Sequence, residues 1–224
     1  MTVAIGLDGF RNGWVAVEIA GRRRKIVFLS DIAELLERPF DRAGIDIPIG
    51  LPDSGDRSCD LAARALLRPH ASRVFTGARR GLWEFRSQGE ANRALKARGE
   101  KMASIQLWNL GPKIMQVDAA MTPRLQRRIV EVHPELVFWR LNGHRPLPAK
   151  TTEQGVALRR ELLMTDGFTG LGDWLEHERI GKGAKVDDVL DACAVAIAAR
   201  DGRHCLPEGR ALKDARGLKM QIWY

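Results

Sequence analysis

Apolar residues open the chain in short runs, at residues 3–8, 13–20 and 24–30, separated by Gly9–Gly13 and Gly21–Arg22. Runs of this length, bounded by glycine-containing turns, predict three β-strands. Turns so short join antiparallel neighbours, so the three strands should form a meander. The next stretch, "SDIAELLE", changes period. Ser30 or Asp31 stands where a helix cap is needed, Ile32, Leu35 and Leu36 fall on one helical face, and Pro39 helps to end it. "AGIDIPIGLP" then reads as a short buried strand over 43–47, cut off by Pro48 and Pro52. A helix between strands makes this fourth strand parallel to one of the meander strands. If its partner is the first strand, Asp8 and Asp46 end at the same, C-terminal, edge of the sheet.

Residues 53–125 read as a helical stretch broken by loops, with "RSCDLAARALL", "SQGEANRALKARG" and "NLGPKIMQVDAAM" as its helices. The sheet resumes with a strand over 128–132, parallel to the first and fourth, and Pro134 takes the first position of the helix after it. A helix over 152–164, a polar, glycine-containing loop over 165–185 and the helix "KVDDVLDACAVAIAAR" follow. Residues 201–224 read as an irregular tail with one short strand near its end. No repeat, low-complexity segment or linker divides the sequence. Residues 1–224 are therefore expected to form a single domain with a helical insertion at about 53–125.

Composition narrows the class. The 224 residues are 45% hydrophobic and 29% charged, which is ordinary for a globular protein. No apolar run approaches the ~18 residues of a membrane span, and no basic-then-apolar leader opens the chain. A soluble, cytoplasmic protein without a membrane partner is expected. Cys59, Cys193 and Cys205 form no CxxC or Cys/His pattern, which argues against a disulfide framework or a structural zinc. The net charge of +8, with clusters at Arg22–Lys25, Arg79–Arg80 and Arg124–Arg128, suits a polyanion such as nucleic acid as well as it suits a solvated basic surface.

Acidic residues at four places, three strand ends and one helix start, carry the candidate chemistry. Asp8, Asp46 and Glu131 each lie near the C-terminal end of a separate strand, the edge where open α/β sheets bind ligands. The last helix adds Asp187, Asp188 and Asp191; Asp188 and Asp191 are three apart and share a face. A first-turn acid stabilises a helix by ~0.3–1 kcal/mol, which accounts for Asp187 and Asp188 but less well for Asp191. The remainder of that helix, Ala192 to Ala199, is small and apolar, so it should pack closely on the sheet. Carboxylates gathered there would repel one another unless a cation held them together. Hard ions such as Mg²⁺ or Mn²⁺ take oxygen-rich sites of this kind, and two of them ~3.5–4 Å apart form the usual clamp on a phosphodiester.

"GLDGFRNGW", "GIDIPIGLP", "RSCDLAAR", "EVHPELVFW", "KTTEQGVALR" and "DDVLDACAVA", in this order from about residue 3 to residue 200, resemble domain of unknown function 429. That resemblance implies a predicted nuclease with the ribonuclease-H-like fold. The expected architecture is an α/β five-stranded mixed sheet in the order 3-2-1-4-5, flanked by helices, with the insertion after strand four. It also implies that the metal-binding acids are Asp8, Asp46 and one or more of Asp187, Asp188 and Asp191, with Glu131 at the strand-five position. The closing Asp188-x-x-Asp191-Ala192 is similar to the last motif of Holliday-junction resolvases of that fold.

The leading expectation is therefore a metal-dependent phosphodiester hydrolase. Asp8 would bridge two ions, Asp46 and Asp188 would complete the cage, and Glu131 and Asp191 would be further catalytic acids. Lys113, Lys150 and Arg159 fall in matching stretches and are candidate phosphate contacts, as is His133. Glu135 is a candidate metal-edge acid. Arg79 and Arg80, ahead of Trp83 and Phe85, are candidate nucleic-acid contacts on an insertion expected to cover the carboxylate edge. Arg57, Asp60 and Arg64 suit an ion-paired helix face better than a substrate role. "GKGAK" at 181–185 lacks the spacer and the Ser/Thr of a phosphate loop. Two other functions stay open. One is a phosphotransferase or ATPase of the actin and sugar-kinase type, whose first strand also carries Asp before glycine. The other is a catalytically silent nucleic-acid-binding module.

Overall fold

A computed structural model describes residues 2–224. Strands β1 (Val3–Phe10), β2 (Gly13–Ala20) and β3 (Arg23–Leu29) form the expected meander. Two-residue turns join them, with Phe10 paired to Gly13 and Ala20 to Arg23. Gly21 sits at φ 58°, a left-handed position that a tight hairpin requires and glycine takes without strain. Helix α1 (Ala33–Leu36) leads to β4 (Arg42–Ile45). Residues 48–127 hold α2 (Ser58–Leu66), α3 (Gln88–Ala97), α4 (Ile105–Asn109) and α5 (Gly111–Ala120). After them come β5 (Ile129–Val132), α6 (Pro134–Leu141), α7 (Glu153–Thr165), the single turn α8 (Leu171–Asp173), a π-helical turn at Trp174–Glu178 and α9 (Val186–Asp201). The tail carries two short strands, β6 (Cys205–Leu206) and β7 (Ile222–Trp223), where one was expected.

The fold is α/β with a mixed sheet in the order β3-β2-β1-β4-β5-β7-β6. The expected order 3-2-1-4-5 is present, and β7 and β6 extend it. β1 pairs parallel with β4, and β4 with β5, so Leu7, Ile45 and Glu131 stand level across three strands. Among the described residues no helix is long and apolar enough to cross a membrane.

The chain divides into two compact units. The first comprises the chain up to Ile47, residues 128–204 and residues 223–224. The second joins residues 48–127 to 205–222, so the insertion does not stand alone: the tail returns to complete it. Ion pairs fasten that tail within the second unit. Arg80 bridges Asp118 and Asp214, and Arg216 reaches Asp118 at 2.9 Å.

Helix α9 organises the first unit. Residues 189–199 are all buried, so the helix is covered on every side and has no need of a polar face. It lies against β1 at backbone distance because Gly6 has no side chain. A Cβ there would come under 3.0 Å from backbone atoms of Ala192 and Ala196. Val15, Val17, Val130 and Val132 share the core beneath it.

Backbone contact of this kind leaves no room to adjust, because packed interiors resist even one added carbon. Gly6→Ala is expected to destabilise the protein by about 2–3 kcal/mol or more. Gly172→Ala, at a position with nothing within 4 Å of the added carbon, should change stability by less than about 1 kcal/mol. Urea denaturation of the two variants measures both, and equal midpoints would contradict the close approach.

Candidate functional site

Asp8 follows Leu7 and Asp46 follows Ile45, one residue past a register pair on adjacent parallel strands. The Asp46 N–H donates to the Leu7 carbonyl at 3.0 Å, which carries the ladder to the strand ends. Side chains alternate along a strand, so Asp8 lies on the same face as Gly6, the face that α9 covers. Asp191 stands one turn before Ala194 on α9 and is 3% exposed; Asp8 is 8% exposed. The close packing of α9 on β1 therefore brings Asp191 to Asp8 and Asp46 at the C-terminal edge of the sheet.

The electrostatics record that convergence. Burial, then Asp46, Asp191 and Asp188, push the Asp8 carboxyl well above the usual 3.8. Asp46 is raised by its enclosure, then by Asp191, Glu131 and Glu135. Burial raises Asp191 to about 6 even though Lys150 opposes the shift. The Lys150 ammonium lies 2.7 Å from Asp191 Oδ2 and 3.3 Å from Asp187 Oδ2. Burial works against its charge, but Asp191, Asp8 and Asp187 outweigh burial and raise its pKa. The Oδ1 of Asp191 is buried with no hydrogen-bond partner among the described residues.

Asp188 also caps its helix. Its Oδ2 accepts the Lys185 N–H at 2.6 Å and so caps α9. Burial raises its pKa, and that backbone bond opposes the rise. Glu131 is buried and level with Leu7 and Ile45, one residue out of phase with Asp8 and Asp46. Its side chain therefore belongs to the opposite face of the sheet, and its charge raises the pKa of Asp46. His133 stands at the N-cap of α6.

Residues 6–211 match the family described as Protein of unknown function (DUF429). The chain belongs to the DUF429 family. No curated protein and no solved structure matches it.

Three of the stretches that suggest this DUF429 membership, "EVHPELVFW", "KTTEQGVALR" and "DDVLDACAVA", meet in the first unit. Arg159 of "KTTEQGVALR" donates to Glu135 of "EVHPE" at 2.6 Å, both buried, and Lys150 reaches Asp191 of the closing motif. Sequence reading singled out Glu135, Arg159 and Lys150 one by one but not as partners. Glu135 and Arg159 are 24 positions apart and Lys150 and Asp191 are 41 apart, beyond any local spacing rule, and the one available signal is opposite charge in matching stretches.

Other expected contacts lie elsewhere. Arg79 is buried in the second unit, bonded to the Gly55 and Lys101 carbonyls and paired with Glu100 at 3.1 Å. Arg80 holds Asp118 and Asp214. Both arginines thus serve internal ion pairs, not an open basic surface. Lys113 is a half-buried residue of α5 in that unit. Trp83 donates to the Trp108 carbonyl at 3.2 Å and packs on Gly111. Arg57 pairs with Asp60 at 3.6 Å, both side chains buried.

Oxygen-only donors and a buried, unpartnered carboxylate oxygen suit a hard divalent cation. Among the described residues, no three His, Cys, Asp or Glu side chains stand close enough together to hold a metal ion as they are placed. Lys150 supplies positive charge here, and repulsion among the carboxylates works against closer approach.

A pH dependence follows. A raised carboxyl binds its proton more tightly folded than unfolded. Its contribution is thus fully present below the unfolded value of 3.8 and is lost as pH rises through the folded value, about 6 for Asp191. Asp8 is raised in the same direction, so Asp8→Asn should raise the melting temperature of the metal-free protein at neutral pH. That gain should vanish near pH 4. Thermal melts in chelator at the two pH values check it, and a variant less stable than the parent at neutral pH would contradict the repulsion.

Proposed function

We propose that this chain is a divalent-metal-dependent phosphodiesterase of ribonuclease-H-like architecture, acting on nucleic acid with Mg²⁺ or Mn²⁺. The observation that carries the reading is the convergence of Asp8, Asp46 and Asp191 from two parallel strands and a buried helix, each with a raised pKa. Structural ion pairs alone leave such a cluster underneutralised, because one lysine faces several carboxylates.

Asp8, Asp46 and Asp191 would hold the cation. Asp188, the third metal ligand expected from the sequence, has one oxygen engaged in capping α9 beside them. When bound, a divalent cation supplies Lewis acidity that activates water and stabilises charge developing on phosphate oxygens. Lys150 fixes the orientation of Asp191 through its Oδ2. The edge also carries exposed basic residues suited to phosphate. Arg11 lies in the turn after β1, and Lys182 and Lys185 lie in the loop before α9. Asn12 ties the two segments by donating to the Lys182 carbonyl at 3.2 Å. These residues replace Arg79 and Arg80 as the proposed phosphate contacts, and binding through them would weaken with salt.

The test is a panel of single-stranded and duplex DNA and RNA incubated with Mg²⁺ or Mn²⁺. Cleavage is expected, is lost in chelator, and falls about 10²-fold or more in Asp46→Asn, as when charge stabilisation is removed from a reacting phosphate. ATP hydrolysis without cleavage would favour the phosphotransferase, and binding without cleavage would favour the silent module.

A further inference from the structure

A clamp sends the Lys150 ammonium into the carboxylate cluster. The turn that carries it is held from both sides. Arg159 donates to the Pro148 carbonyl at 3.1 Å and the Gly155 carbonyl at 2.9 Å. Thr152 donates its hydroxyl to the Ala149 carbonyl at 2.8 Å and accepts the Gly155 N–H at 3.1 Å, which caps α7. Gly155 leaves no room for a side chain, since a Cβ would come under 3.0 Å from the Ala149 carbonyl. Arg159 itself is 1% exposed and anchored on Glu135. The Lys150 side chain is itself 41% exposed, so the hold on its turn, rather than burial, directs the ammonium to Asp191.

The oxygens of the cluster are divided. Asp191 Oδ2 and Asp187 Oδ2 face the ammonium, while Asp191 Oδ1 is buried without a hydrogen-bond partner among the described residues, and Asp8 and Asp46 feel the Lys150 charge less than they feel their own burial. A site for two divalent ions would need the oxygens that Lys150 already engages. We infer that the site takes one divalent cation, at Asp8, Asp46 and Asp191 Oδ1, and that the Lys150 ammonium stands in the place of a second and supplies part of its charge. This rests on the metal-site reading above and departs from the two-ion arrangement expected from the sequence. Lys150 is a counter-ion that positions Asp191, and the phosphate contacts fall to other residues.

Calorimetric titration of the intact protein with Mn²⁺ alone, at neutral pH, counts the ions. The parent should bind one per chain. Lys150→Met, which keeps length and removes charge, should bind two, and Lys150→Arg, which restores charge, should return to one. Circular dichroism of each variant with Mn²⁺ present reports its folding, and the parent's own count decides even if Lys150→Met does not fold. Two ions in the parent, one ion in folded Lys150→Met, or two in Lys150→Arg would overturn the role of the lysine and leave the metal site standing. No ion in the parent at millimolar Mn²⁺ would overturn both.

Discussion

Helix α9 touches β1 backbone to backbone, and the missing side chain at Gly6 is what permits it. The contact fixes more than packing. A helix with a buried, alanine-rich middle can sit only where the sheet leaves it room. Its first two turns then lie towards the C-terminal end of β1, where Asp188 and Asp191 act on Asp8 and Asp191 acts on Asp46. A bulkier residue at Gly6 would lift α9 from the sheet and carry Asp191 away from Asp8. Stability and the candidate chemistry thus depend on one close approach.

That approach creates an electrostatic conflict. Carboxylates removed from water and set beside one another favour their neutral forms, which is why Asp8, Asp46 and Asp191 all hold their protons more firmly than usual. The fold offsets part of the conflict with Lys150, and the clamp from Glu135 through Arg159 to the Pro148–Thr152 turn keeps that lysine in place. Three stretches far apart in sequence become one arrangement in this way: α6 supplies the anchor, α7 the arginine, and α9 the carboxylate.

Much of the sheet was legible because its signals are local. Short apolar runs, two-residue turns and a helix between strands define the meander, the parallel fourth strand and the shared edge of Asp8 and Asp46. The early acids of an apolar helix marked α9. Long-range pairing was not legible. Nothing near Cys205–Leu206 announces a strand, and nothing in 201–224 shows that Asp214 is the partner of Arg80. The two arginines before Trp83 look like an exposed patch until their partners at Glu100, Asp118 and Asp214 are known. Glu131 shows how narrow the margin is. One residue of register separates the face it shares with Leu7 and Ile45 from the face of Asp8 and Asp46, and composition carries no information on that step.

The central claim is that Asp8, Asp46 and Asp191 are brought together to hold a cation. A crystal soaked in Mn²⁺, with diffraction recorded at the manganese absorption edge, tests it most directly. The account predicts an anomalous peak among these three carboxylates, with the Asp191 Oδ1 turned to it and Lys150 still on Oδ2. An anomalous map with manganese bound only elsewhere on the protein, or none at these carboxylates at saturating Mn²⁺, would contradict it.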